Sequence, residues 1–158
     1  MTDEQTLKRV SDLLKQKKLT VATAESCTGG LIAHSLTNIS GSSDYFERGI
    51  VSYSNKAKIE LLDVSEDLLI KHGAVSEQVA KEMAEGIRTK SNVNIGISTT
   101  GIAGPTGGTK EKPVGLVYIA VSTSDITIVK KFQFSGNRVQ NKESTCSAAL
   151  KMLLDVLT

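Results

Sequence analysis

The eight residues Thr23-Ala24-Glu25-Ser26-Cys27-Thr28-Gly29-Gly30 constrain this chain more than any other stretch. An apolar run over 20–24 stops there and gives way to small polar residues and paired glycines. It resumes as the helix-like Leu31-Ile32-Ala33. A strand, a tight turn and a helix N-terminus set Ser26, Cys27 and Thr28 side by side. Amides at such a helix start lack intrahelical acceptors and point at whatever lies in front of them. The turn fits a serine nucleophile, a thiol of depressed pKa or a phosphate cradle.

The alternation of strands and helices runs the length of the chain. Leu7, Val10 and Leu14 recur at helical spacing in 4–17. A strand is expected over 20–24, a helix over 28–36, a loop over 38–44 and a second strand over 46–53. Asn55 can cap a helix ending at Leu62. A short helical turn over 66–70 ends at His72-Gly73. Ser76 fits an N-cap for a helix to about residue 89, with Val79, Met83 and Ile87 on one face. A third strand over 94–100 leads into a glycine-rich loop, 101–113, of a length that in compact domains usually serves function. Two β-branched runs, 114–123 and 126–134, are joined at Ser124-Asp125, and a helix over 138–157 closes the chain. The order predicts an α/β fold, a three-layer α/β/α sandwich around a mixed, mainly parallel sheet of about five strands. Residues 1–158 read as one domain, without repeat or linker.

Chain direction gathers the polar features. If the first three strands are parallel, Ser26, Tyr53 and Thr100 end them on one edge of the sheet. The 101–113 loop starts at that edge. The 114–134 hairpin leaves and returns, which brings Gly136-Asn137-Arg138 back to the same rim. Open α/β sheets bind ligands there.

Composition excludes more than it selects. The net charge of +2 and the lack of a clustered basic stripe argue against nucleic acid as a partner. Nothing approaches the ~20 apolar residues of a membrane span. The N-terminus is acidic and polar, unlike a secretory signal, so a cytoplasmic location is expected, with Cys27 and Cys146 reduced. Two cysteines and two histidines, all widely spaced, make no zinc motif, and neither the Walker pattern nor the dinucleotide fingerprint is present. No metal or cofactor is called for.

A serine nucleophile needs a base. His34 lies inside a helix and His72 precedes a helix-ending glycine, so a Ser-His-Asp triad has little support. Lysine is the other option. Lys56 has Glu60 four residues on, an ordinary surface pair. Lys58 has Leu61 and Leu62 at three and four residues on and leans toward the apolar face. A desolvated lysine loses its proton more readily and can act as a base. Tyr53 precedes this helix and can join a network with Lys58 and Ser26. The plainer alternative makes Tyr53 a strand-end aromatic and lets Lys58 snorkel to water. Cys27 lacks a histidine partner and fits a packing role better than a reactive one. Thr100, Gly101 and the Gly104–108 backbone supply donors suited to an oxyanion or phosphate. Arg138, at a helix start, can reach a phosphate or carboxylate. Glu25 can accept hydrogen bonds that shape the turn.

Several motifs then occur together, in order: Ala24-Glu25-Ser26-Cys27-Thr28-Gly29-Gly30; Phe46-Glu47-Arg48-Gly49 leading into Tyr53-Ser54-Asn55-Lys56-Ala57-Lys58; His72-Gly73-Ala74-Val75-Ser76; and Gly101-Ile102-Ala103-Gly104-Pro105 with Lys112-Pro113-Val114-Gly115. Over about 4–156 the chain resembles the CinA C-terminal domain family in its stand-alone form, without the additional N-terminal domain of longer members. The resemblance implies a nicotinamide-nucleotide amidohydrolase, an NMN deamidase that converts nicotinamide mononucleotide to nicotinic acid mononucleotide and ammonia. It implies Ser26, Tyr53 and Lys58 as the catalytic set. It implies that Thr100 and Arg138 bind or polarise the substrate; Thr28, Gly29, Gly30, Gly101 and Gly104 are expected beside them from the reading of the two loops as backbone donors. It also implies a homodimer or larger homo-oligomer. Asn137 stands where the family commonly has an acidic residue. The competing expectation is a non-catalytic nucleotide- or phosphate-binding module tied to competence or damage responses.

Overall fold

The computed structural model describes residue 1 and residues 3–158. Its elements follow the expected order: α1 (Asp3–Lys17), β1 (Val21–Glu25), α2 (Leu31–Thr37), β2 (Phe46–Val51), α3 (Asn55–Leu62), α4 (Glu66–His72), α5 (Glu77–Ser91), β3 (Ile95–Gly101), β4 (Leu116–Ser122), β5 (Thr127–Gln133) and α6 (Arg138–Leu157). A 3-10 turn, Ser42–Asp44, precedes β2.

The strands form one sheet in the order β2-β1-β3-β4-β5. β1 pairs in parallel with β2 and with β3, and β4 is antiparallel to β3 and to β5. Only β4 runs against the rest, so the sheet is mixed and mainly parallel as expected. All five residues of β1 are buried, as a central strand covered on both faces requires.

Alternate strand residues feed two cores. Val21, Ile97 and Ile119 pack with Val10, Ile32, Leu36 and Leu153 of α1, α2 and α6. On the opposite face, Ala22 and Ala24 pack with Leu62, Val79, Met83 and Ile87 of α3 and α5. Each fully buried large aliphatic side chain contributes about 1.5–3 kcal/mol. This is the α/β/α layering.

Two boundaries differ from the sequence expectation. The helix expected over 28–36 begins at Leu31, because Gly29 and Gly30 take φ of 60° and 104°. Those values lie in the left-handed region, which no helical first turn can use. The α3 cap is Ser54, not Asn55: its Oγ accepts from the Ala57 amide at 3.0 Å. Asn55 is the first helical residue.

β1 has β2 on one side and β3 on the other, and the two connections lie on opposite faces of the sheet. The crevice above the C-terminal end of β1 is therefore a topological switch point. Ser26 stands in it.

Candidate active site

Ser26 directly follows β1, and its amide donates to the Thr99 carbonyl at 3.0 Å. The residue is 8 % exposed. Facing it is Lys58 of α3, which is 1 % exposed. Lys58 points inward with Leu62, one turn on, while Lys56 stays outside, 3.8 Å from Glu60. The separation of the two lysines by helix geometry holds.

Lys58 Nζ lies 3.0 Å from Ser26 Oγ, 2.9 Å from the Ser52 carbonyl and 3.2 Å from the Tyr53 carbonyl. Three neighbours around Nζ have a chemical consequence. A neutral amine has two N–H donors and one lone pair. A charged Lys58 donates its third N–H to Ser26 Oγ; a neutral one can keep its two N–H bonds to the carbonyls and turn its lone pair to the Ser26 hydroxyl. Burial pulls the Lys58 pKa below the ordinary lysine value, with the Cys27 thiol acting the other way. The position thus eases loss of the Lys58 proton beside a serine hydroxyl.

The turn itself is set by Glu25. This carboxylate is 1 % exposed. Its Oε1 accepts from the Thr28 hydroxyl at 2.6 Å and the Ile32 amide at 2.8 Å, and its Oε2 accepts from the Ala33 amide at 3.0 Å. A buried charge is tolerable when charge-assisted bonds and a helix N-terminus surround it. The amides at the start of α2 are consequently occupied from within. They do not face a ligand, as the helix-start argument supposed.

Burial raises the Cys27 thiol to about 11. Cys27 is 7 % exposed and packs in the core shared with α6, so it is a thiol at neutral pH and not the reactive thiolate.

Two hydroxyls expected at the substrate are spent inside the fold. Thr28 Oγ1 bonds Glu25 and lies 2.8 Å from Thr99 Oγ1. Thr100 Oγ1 donates to the Ala74 carbonyl at 2.8 Å, which ties β3 to the approach to α5. Both residues stay at the rim by their backbones. Gly29 and Gly30 form the turn, and Gly101 ends β3 opposite Val117. Gly104 has φ of 85°, and a Cβ there would meet Val114 Cγ1 at 2.3 Å; no other residue fits.

Tyr53 and Arg138 meet each other. Arg138 Nη2 donates to the Tyr53 phenol oxygen at 3.0 Å and Nη1 to the Gly104 carbonyl at 2.7 Å. The Tyr53 carbonyl reaches Lys58, while its phenol bonds Arg138. Asn137 and Gln140 form a capping box at the start of α6, which fixes where Arg138 begins. Asn141, 1 % exposed, donates to the Ala103 carbonyl at 3.0 Å and accepts from the Gly136 amide at 2.9 Å. It fastens α6 to the glycine-rich loop. Sequence reasoning missed Asn141 and Thr99. A polar residue inside the apolar stripe of a helix was the available signal for Asn141.

A family model described as the CinA C-terminal domain matches residues 3–157. The chain belongs to the CinA C-terminal domain family. A CinA-like protein from Syntrophus aciditrophicus is 54% identical over 153 residues, covering 96% of this chain and 36% of the relative. A protein of Caldicellulosiruptor saccharolyticus, named for competence-damage induction, is 53% identical over 152 residues, covering 96% and 37%. The chain therefore spans little more than a third of the length of the curated relatives it matches. Among solved structures, competence/damage inducible protein CihA from Agrobacterium tumefaciens is 40% identical. It superposes with a TM-score of 0.97 over 100% of this chain and 98% of that one. A CinA superfamily protein from Klebsiella pneumoniae is 30% identical with a TM-score of 0.95, over 99% and 98% of the chains. The CinA fold and its five-stranded mixed sheet are thus shared along the whole chain.

Proposed function

We propose that this CinA-family chain is an amidohydrolase that cleaves the carboxamide of nicotinamide mononucleotide. The products are nicotinic acid mononucleotide and ammonia. The observation that carries this reading is the contact between buried Lys58 and Ser26, 3.0 Å, with two carbonyls holding the other faces of Nζ. Among the described residues Lys58 has no ion-pair partner; such a buried lysine is costly to keep, and its use as a general base accounts for that cost.

Lys58 takes the Ser26 proton as Oγ attacks the carboxamide carbon. The amides of Ser26, Gly29 and Leu31 bond to carbonyls within the fold, so those of Cys27, Thr28 and Gly30 are the candidates to stabilise the oxyanion through their N–H groups. The Lys58 ammonium returns its proton to the leaving nitrogen and ammonia departs. Water, activated by the neutral amine, releases the acid and restores Ser26. Arg138 and the backbone around Gly104 receive the ribose phosphate.

The names of the relatives speak of competence and damage, which describe an occasion of expression and favour no chemistry. A binding module would have no use for the Ser26–Lys58 pair. Ammonia release from the mononucleotide by the wild-type chain, compared with Ser26→Ala, decides between them. Turnover retained in Ser26→Ala rules out the nucleophile, and binding without turnover in the wild type favours the module.

A further inference from the structure

Arg138 reaches across the rim. Gly104, which accepts from Nη1, follows β3; Tyr53, which accepts from Nη2, follows β2. β1 lies between those two strands, and Ser26 directly follows it. The Arg138 guanidinium therefore joins the segments that follow β2 and β3, the two neighbours of the strand that leads into Ser26.

Both acceptors on this guanidinium are neutral. Arginine bonds to phosphate or carboxylate are roughly twice as strong as neutral hydrogen bonds and are frequently bidentate. A phenol and a peptide carbonyl are thus weak occupants of a group built for an anion. Arg138 also lines a cleft of about 490 Å³ walled by Ala103, Pro105, Val114 and Val139. Tyr53 is 59 % exposed, so its ring is free to turn. Its own carbonyl lies 3.2 Å from Lys58 Nζ, so the ring is attached next to the amine that its phenol does not touch.

We infer that the Tyr53–Arg138 hydrogen bond is an anion-operated latch: a phosphomonoester group on the substrate takes the guanidinium, and the released Tyr53 phenol turns toward Lys58 and Ser26. This rests on the amidase reading. Binding of the phosphate then completes the catalytic set, and an uncharged amide fails to do so because nothing displaces the phenol. Discrimination between a nucleotide and its nucleoside is exercised in kcat as well as in KM.

The latch is tested first without turnover. The chain has three tyrosines, so tyrosine labelled at Cζ gives a short spectrum in which Tyr53→Phe identifies the Tyr53 signal. Ribose 5-phosphate should shift that signal saturably, ribose should leave it in place, and in Arg138→Gln it should stand displaced before any addition. A Tyr53 signal unmoved by ribose 5-phosphate, or moved equally in Arg138→Gln, overturns the latch. The second arm compares ammonia release from nicotinamide mononucleotide and nicotinamide riboside. Arg138→Gln should raise KM for the mononucleotide at least tenfold and raise kcat on the riboside severalfold. A simple phosphate-binding arginine predicts no gain on the riboside, and absence of that gain overturns the latch. If the wild type releases ammonia from neither compound, the amidase reading fails while the tyrosine signal still decides the latch.

Discussion

Lys58 Nζ and Ser26 Oγ stand 3.0 Å apart at the end of β1, and the carbonyls of Ser52 and Tyr53 hold the other two sides of the amine. The arrangement presents a lone pair to a hydroxyl when Lys58 is neutral and a third N–H when it is charged. In the proposed mechanism its protonation state governs whether Ser26 is activated.

Removing the hydroxyl should abolish chemistry. Ser26→Ala is expected to lower kcat for ammonia release by at least about 10³-fold, with the mononucleotide still bound in a calorimetric titration.

Charge alone should not replace Lys58. Lys58→Arg keeps a cation but loses the base, since a guanidinium does not deprotonate in proteins. Both Lys58→Arg and Lys58→Met should be inactive across the pH range in the ammonia assay. Turnover in Lys58→Arg would make the residue an electrostatic anchor.

The pH dependence follows from burial of Lys58, which lowers its pKa. Activity should rise with pH along a limb whose midpoint lies below the ordinary lysine value of about 10.4. Stability should change with the same sign. Between the lowered folded pKa and the unfolded value, the unfolded chain binds the extra proton, so stability rises with pH in that window. Below the folded pKa both states carry the proton and the cost of burying the charge is felt in full. Thermal melts of the wild type and Lys58→Met across this range measure it: the Lys58→Met profile should lose this slope.

Glu25 should matter for stability before chemistry. Glu25→Gln places an amide NH₂ among donors at the start of α2 and removes a charge-assisted acceptor. A loss of about 1–3 kcal/mol is expected, which in a chain of this size is roughly 2–12 °C of Tm. An unchanged Tm would show that the carboxylate does not hold the turn.

Cys27 should be dispensable. With the thiol pushed up to about 11 by burial, alkylating reagents at pH 7.5 should label the folded protein slowly. Cys27→Ala should retain ammonia release within a few-fold.

Most of the layering was legible in the sequence, because apolar periodicity and turn residues are local signals. The inward placement of Lys58 was half legible: Leu62, four residues on, marks the buried side of α3, but Leu61 is exposed, and spacing alone left Lys58 free to snorkel to water. The fate of the hydroxyls was not. Thr28 and Thr100 look alike on paper, and only three-dimensional neighbours, Glu25 for one and the Ala74 carbonyl for the other, decide that both are used internally. Tyr53 was half legible. Its position beside Lys58 follows from β2 ending at the rim, but its phenol bonds Arg138, 85 residues away in sequence. Asn141 was only hinted at, as a polar residue within an apolar stripe, because its bond to the Ala103 carbonyl joins segments 38 residues apart.

The reversed strand β4 has a practical meaning. It carries the chain seven residues away from the rim, about 23 Å at the usual rise, before Thr123 and Ile126 close the hairpin onto β5. The exposed tip at Ser124-Asp125 is therefore the sheet's handle: a fluorophore, an affinity tag or a surface linkage attached there would leave Ser26, Lys58 and Arg138 facing open solution.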